Sequence, residues 1–182
     1  AGTGTAGYNS DGIAATNAQL NFPYHVAVDA LGVVYVADYG NNRVRKVGTD
    51  GIIRTVAGTG VAGYDGDGIA TNKQLKSPAA VSLDSVGAFY VADSGNYRIR
   101  HVGTNGLIET VAGTGESGSG GDGGPATNAT FQSPVFDVAV AGERPAEQQA
   151  CHRAGGVVRH LDRRRKRPDA ELAAAIGRQR MD

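Results

Sequence analysis

The chain has 182 residues, 18 Lys+Arg against 18 Asp+Glu, one Cys and 28 Gly. That length suits one domain, and a single cysteine excludes an internal disulfide framework. No run approaches 18 apolar residues, so no helical membrane span is expected, and a leader peptide would lie upstream of Ala1.

The balanced charge hides an uneven chain. Residues 1–140 carry 8 Lys+Arg and 12 Asp+Glu (−4), whereas 141–182 carry 10 and 6 (+4). All Tyr and Asn lie before residue 140, and such a change in composition marks a boundary. Before that boundary the text repeats. AGTG starts at Ala1, Ala57 and Ala112, a period of 56 and then 55 residues. A period this long denotes an array of equal supersecondary units. The units are 1–56, 57–111 and the start of a third, 112–140.

In the first unit, Val26-Ala27-Val28 reads as a strand. Asp29-Ala30-Leu31-Gly32 follows as a type I turn. Val33–Ala37 is β-branched and aromatic and reads as a strand buried on both faces. Asp38-Tyr39-Gly40-Asn41 turns the chain. Asn42–Val47 reads as a third strand nearer solvent, and its broken alternation predicts a bulge or a short strand. Asp50-Gly51, matched by Asn105-Gly106, makes a hairpin turn, and Ile52–Ala57 is the fourth strand. Four short antiparallel strands with turns every 8–10 residues describe a propeller blade. In the link that follows, ATNKQL predicts one helical turn capped by Thr71 or Asn72. The fold expected is all-β: a fragment of a β-propeller, two four-stranded antiparallel blades plus the start of a third, with an atypical C-terminal tail.

VAVDALGVVYVADYGNNRVRKV and VSLDSVGAFYVADSGNYRIRHV resemble NHL repeats. Their flanks, AGTG…GYxGDG…AT…QL…P, resemble the long-blade NHL arrays of large bacterial proteins. The resemblance covers residues 1 to about 140. It implies a propeller, usually of six blades, that serves as a binding platform, and it favours an extracytoplasmic or secreted setting. Some relatives of the fold are lyases or lactone hydrolases.

Several residues are candidates for chemistry. The acidic glycine loops contain Asp11, Asp65, Asp67 and Asp122. Clustered oxygens suit calcium, but no glutamate completes a site, and Asp side chains turned onto their own backbone are the default reading. No cofactor is expected. Asp38 with Arg43, and Asp93 with Arg98, are expected to pair within each blade. His25 stands at the mouth of the first strand, where enzymes on this fold place metal ligands and bases. No His or Glu partner recurs beside it. His101, in the place of Lys46, reads as surface. The run Arg163-Arg164-Arg165-Lys166-Arg167 could bind nucleic acid, but five cations without aromatics are usually solvated. The propeller portion is acidic, which argues against nucleic acid as partner.

The tail 141–182 departs from the repeat. Read one base later through synonymous codons, Gly142–Pro145 permit G-N-V, Glu147–Ala150 permit N-N-R, and Asp162–Pro168 permit T-V-A-G-N-G. These are repeat landmarks in order, which points to a shifted reading frame, or else to a disordered tail. Cys151, His152 and His160 would then carry no selected role. The reading that results is a non-enzymatic binding or scaffold module for a protein or other macromolecule, a piece of a larger propeller. The alternative is part of a propeller lyase or hydrolase using channel residues.

Overall fold

The computed structural model describes residues 1–140. The tail 141–182, with its arginine run, Cys151 and two histidines, lies outside the described residues. Ten strands are described: β1 (Ile13–Ala14), β2 (Pro23–Val28), β3 (Val34–Asp38), β4 (Arg43–Val47), β5 (Ile52–Ala57), β6 (Gly68–Ile69), β7 (Pro78–Leu83), β8 (Phe89–Asp93), β9 (Arg98–Val102) and β10 (Leu107–Ala112). They form two antiparallel sheets in the orders β1-β5-β4-β3-β2 and β6-β10-β9-β8-β7. Each is a blade built as a meander from the inner strand outward.

The four strands per unit lie where the pattern places them. A fifth is added at the outer edge of each blade by the link that precedes it: Gly68 and Ile69 pair with Ile108 and Leu107. Two residues of strand inside a glycine-rich stretch leave no periodicity to detect. They occupy the edge of the outermost strand, which would otherwise present unpaired backbone groups. The expected helical turn is a 3-10 turn, Ala70–Asn72, and its N-cap is Ile69 with no side-chain cap bond, not Thr71 or Asn72. The bulge expected near the third strand falls in its pairing with the fourth. Val44 faces Ala57 while Arg45 faces Thr55, so the extra residue is Val56 on β5.

The turns follow their residues. Asp29 Oδ1 accepts from Leu31 N and Val33 N, and Gly32 N donates to Asp29 O at 3.1 Å. Asp84 repeats this after β7. A short side-chain acceptor that mimics a backbone carbonyl is what Asp supplies at such a position.

The blades pack face to face. Val33, Tyr35 and Val44 of blade 1 meet Val81, Phe89, Val91, Val102 and Ile108 of blade 2 in one buried cluster. Tyr35 and Phe89 are in tilted contact at 5.4 Å between ring centroids. The far face of blade 2 is closed by the start of the third unit: Val135 and Val138 are buried against Ala80, Tyr90, Ala92 and Ile99. Ser94 Oγ donates to the Val135 carbonyl.

Among the described residues, one face lacks such a cover. Along β2, Tyr24, Val26 and Val28 are 60, 55 and 58% exposed. In the same place on blade 2, Ala79 and Val81 are fully buried, because blade 1 lies on them. This difference gives a paired test. Val81→Ala removes two methylene equivalents from a closed interface and will cost about 2 kcal/mol. Val26→Ala, at the matching position of the same repeat, will change stability by less than about 0.5 kcal/mol. Urea unfolding of the two variants reads the contrast; equal losses would mean that Val26 is also covered in solution.

Candidate functional site

Two sets of residues bear on function: the acidic loops that link the blades, and the inner strand ends with His25. The charges of the loops are drawn into the blades.

In blade 2, Arg100 is fully buried. Its Nη2 donates to Gly66 O at 2.8 Å and to Asp67 Oδ1 at 3.2 Å. Its Nη1 lies 3.6 Å from Asp93 Oδ2. Asp93, also fully buried, accepts from Lys76 N and from Asn96 Nδ2, each at 2.8 Å. Asp67 in turn takes Thr110 N and Thr110 Oγ1. Blade 1 repeats the set. Arg45 donates to Ser10 O at 3.0 Å and Asp11 Oδ1 at 2.8 Å, and stands 3.5 Å from Asp38 Oδ2. Burial pushes the Asp93 carboxyl up to about 6, against the pull of the Asn96 and Lys76 donors and of Arg100. Asp38 is raised for the same reason.

The arginine two residues earlier does different work. Arg98 lies over the Tyr64 ring at 3.7 Å, with Arg100 at 5.0 Å over the same ring. Its guanidinium donates onward to the carbonyls of Asn96 and Thr114. In blade 1, Arg43 lies 3.9 Å over Tyr8 and donates to Thr59 O at 2.7 Å. Each such arginine therefore holds the link before its blade by a ring and the link after it by a carbonyl. Cation–π contact and charge-assisted hydrogen bonding act together at one group.

This corrects three expectations. The acid partner within each blade is Arg45 or Arg100, not Arg43 or Arg98. Asp38 and Arg43 do stand opposite each other across β3 and β4, but the Arg43 guanidinium is taken by Tyr8 and Thr59. The third strand is not a solvent strand, because the incoming link covers it and its carboxylate neutralises the arginine beneath. His101 is no free surface residue either: it stacks on Tyr90 at 4.7 Å, and its Nδ1 is 3.3 Å from Glu109 Oε1.

The calcium candidates are placed as follows. Asp11 and Asp67 face Arg45 and Arg100, as above. Asp65 Oδ1 accepts Gln74 N at 2.9 Å, as Asn9 Oδ1 accepts Gln19 N. These aspartates bind across the loop or into the blade, rather than onto their nearest backbone. Asp122 is exposed in a third loop where Ser119 replaces the stacking tyrosine. Among the described residues no group of three or more His, Cys, Asp or Glu is arranged to hold a metal ion.

His25 sits on β2, half-buried, and its Nδ1 is shielded without a hydrogen-bond partner. Counting two residues from Pro23, Pro78 and Pro134 gives His25, Ala80 and Phe136, so three successive units carry unlike residues at the matching position of the repeat. Tyr24, the extra residue of a bulge between Pro23 and His25, stacks on Tyr39 at 5.7 Å and on Phe136 at 6.1 Å. Blade 2 has Ala79 and Ser94 in place of Tyr24 and Tyr39. The aromatic row thus breaks the repeat where the inner strands begin. The sequence does contain this signal, as a difference between otherwise matching units.

Comparison with known proteins agrees with the architecture. The model of the teneurin NHL domain matches residues 5–64. Teneurin-3 of Mus musculus is 37% identical over 94 residues, covering 44% of this chain and 4% of the teneurin. NHL repeat-containing protein 2 of Bos taurus is 30% identical over 132 residues, 71% of this chain and 18% of that protein. The chain thus spans a small part of these curated relatives. They are animal proteins, so text of this kind is not peculiar to bacterial arrays. A crystal structure of a protein of unknown function from Bacteroides thetaiotaomicron superposes with a TM-score of 0.54 at 25% identity, over 62% of this chain and 28% of that one. The repeated text, the two meander blades packed face to face and these likenesses identify the chain as a member of the NHL-repeat family, with residues 1–140 folded as propeller blades.

Proposed function

We propose that the chain is a non-enzymatic binding or scaffold module, part of a larger propeller, whose partner is a protein or other macromolecule. The observation that supports this most is the use of charge. The recurring acids and arginines are paired with one another between blade and link. Chemistry that repeats in every blade builds a rigid ring rather than one reaction site. Among the described residues, an unrepeated aromatic row stands apart from these pairs: exposed Tyr24 and Phe136, with half-buried Tyr39 beside Tyr24, the kind of surface that contributes most to macromolecular recognition. The test is binding by the intact chain to candidate extracellular proteins in a surface-immobilised array. Saturable binding that is weakened by Tyr24→Ser and by Phe136→Ser supports the module. Binding indifferent to both variants would remove the aromatic row from the proposal.

Calcium has no part in this reading. Thermal unfolding with calcium and with chelator is expected to give the same midpoint. A rise above about 5 °C with calcium would correspond to a kcal/mol or more for a chain of this size and would reinstate a metal site.

A second reading, part of a propeller lyase or hydrolase, is favoured by one observation: the shielded His25 Nδ1 without a partner. Calorimetric titration with a zinc salt separates the two. A site that takes zinc in the parent chain and loses it in His25→Ala would favour the enzyme. Equal isotherms would favour the module.

A further inference from the structure

Asn105 is the one asparagine in the chain that glycine follows. It stands at the tip of the β9–β10 hairpin, and both Asn105 and Gly106 are exposed. Gly103 N donates to Leu107 O and Gly106 N to Gly103 O, each at 2.9 Å. Leu107 N donates to Asn105 Oδ1 at 3.1 Å, so the side chain curls over the following backbone. Gly106 has φ +75 and nothing within 4 Å of where a Cβ would stand.

From this geometry we propose that Asn105 is a site of spontaneous covalent modification, the deamidation of blade 2 through a cyclic imide. Gly106 N gives up its proton to hydroxide and attacks Asn105 Cγ. A new N–C bond forms, the Cγ–Nδ2 bond breaks, and the amide leaves as ammonia after taking a proton from water. Water then opens the imide at one carbonyl or the other, giving aspartate or isoaspartate. No electrons are exchanged. Leu107 N–H points at Oδ1, the oxygen that gathers negative charge as Gly106 attacks, and the absent Cβ leaves the approach clear. The step requires release of one hydrogen bond, Gly106 N to Gly103 O.

The internal repeat supplies a picture of one product. Position 50 of blade 1 is the twin of 105 and is already aspartate. Its turn has the same bonds: Gly48 N to Ile52 O at 3.1 Å, Gly51 N to Gly48 O at 2.9 Å, and Ile52 N to Asp50 Oδ1 at 3.0 Å. The turn therefore accepts an aspartate. The surroundings differ. Asp50 pairs with Arg54 at 2.9 Å, whereas the twin of Arg54 is Glu109. The aspartate formed at 105 lacks the cation that Asp50 has, since the residue in that place is a glutamate turned to His101, and isoaspartate adds a backbone methylene to a turn closed by two backbone bonds. Modification thus loosens the outer hairpin of blade 2 in a way blade 1 is spared.

The experiment ages the folded full chain at mildly alkaline pH and maps its peptides by mass spectrometry, with isoaspartate counted by enzymatic methylation. A urea-unfolded sample is aged in parallel. The expected result is loss of the Asn105 amide in the folded chain while Asn9, Asn41, Asn42 and Asn96 keep theirs. Asn105→Gln should remove the methylation signal from the peptide that contains position 105, and Asn105→Asp should fold with a lower melting midpoint than the parent. An Asn105 amide that stays intact in the folded chain after the unfolded sample has lost it would show that the turn protects the residue and would overturn the proposal. So would earlier loss at any other asparagine.

Discussion

Arg100→Ala will destabilise the chain by about 3–5 kcal/mol, the range for removing one partner of a buried ion pair. The loss arises at four places at once. Asp93 keeps its two neutral donors, Lys76 N and Asn96 Nδ2, but loses the cation that offsets its charge. Gly66 O loses its donor and Asp67 keeps only Thr110, so the link before blade 2 is held by fewer bonds. The Tyr64 ring loses one of two cations, and the volume of a fully buried side chain is emptied. The exposed pair Arg54–Asp50 serves as the control. Arg54→Ala should cost less than about 1 kcal/mol, since exposed pairs contribute little. Chemical denaturation of both variants measures the contrast. Similar small losses would mean that the Arg100 cluster is solvated after all.

The same cluster fixes a pH dependence. The Asp93 carboxyl titrates near 6 in the folded chain and near 3.8 when unfolded. The folded state therefore holds its proton more tightly. Stability from this group is fully present below the unfolded value and is lost as pH rises through about 6. Removing the group by Asp93→Asn should flatten stability against pH between those two values, whatever the substitution does to the mean. A slope unchanged by Asp93→Asn would assign the dependence to another group.

How far the sequence could be read divides along a physical line. Strands β3, β5, β8 and β10 and the Asp29, Asp50 and Asn105 turns were legible, because β-branched runs and turn residues act within a few positions. The propeller itself was legible from the period and the meander of strands. Burial of Arg45 and Arg100 was not. Asn-Arg-Val-Arg-Lys-Val is as polar as a surface strand, and what covers it lies 34 residues before Arg45, at Asp11, and 33 before Arg100, at Asp67. A trace of this was present: Tyr8 and Tyr64 recur in step with the arginine pairs, and both are absent from the third loop's described text. Recurrence of distant residues in step is the signal for a contact between units. The two-residue strands β1 and β6 left no such trace. His25 lies on the inner strand as its place in the repeat suggests, but the shielding of its Nδ1 without a hydrogen-bond partner is set by packing that its neighbours in sequence do not show.

Gly58→Ala will be at least as damaging as any core substitution, with a loss above about 4 kcal/mol. Gly58 is the second residue of the AGTG text of the second unit, where the chain leaves β5 and crosses to the next blade. Its φ is +91, and an added Cβ would stand 2.3 Å from Asn42 O and 3.0 Å from Arg43 Cα. Both are backbone atoms, so no side chain can swing aside to make room. Nor can the backbone yield cheaply. Gly58 N donates to Ala70 O at 3.0 Å, and Thr59 O next to it receives Arg43 Nη2 at 2.7 Å. A shift at Gly58 therefore breaks the bond by which Arg43 ties the link to blade 1. Gly113 has matching surroundings at the start of the third unit, with Tyr97 O at 2.2 Å, so Gly113→Ala should behave alike. Gly51→Ala separates strain from collision. Its φ is +73 with nothing within 4 Å, so only the left-handed backbone is penalised, by about 1–2 kcal/mol. Thermal and urea unfolding of the three variants give the ordering. If Gly58→Ala costs no more than Gly51→Ala, then the AGTG crossing is not pressed against blade 1, and the account of how one unit is locked to the next fails with it.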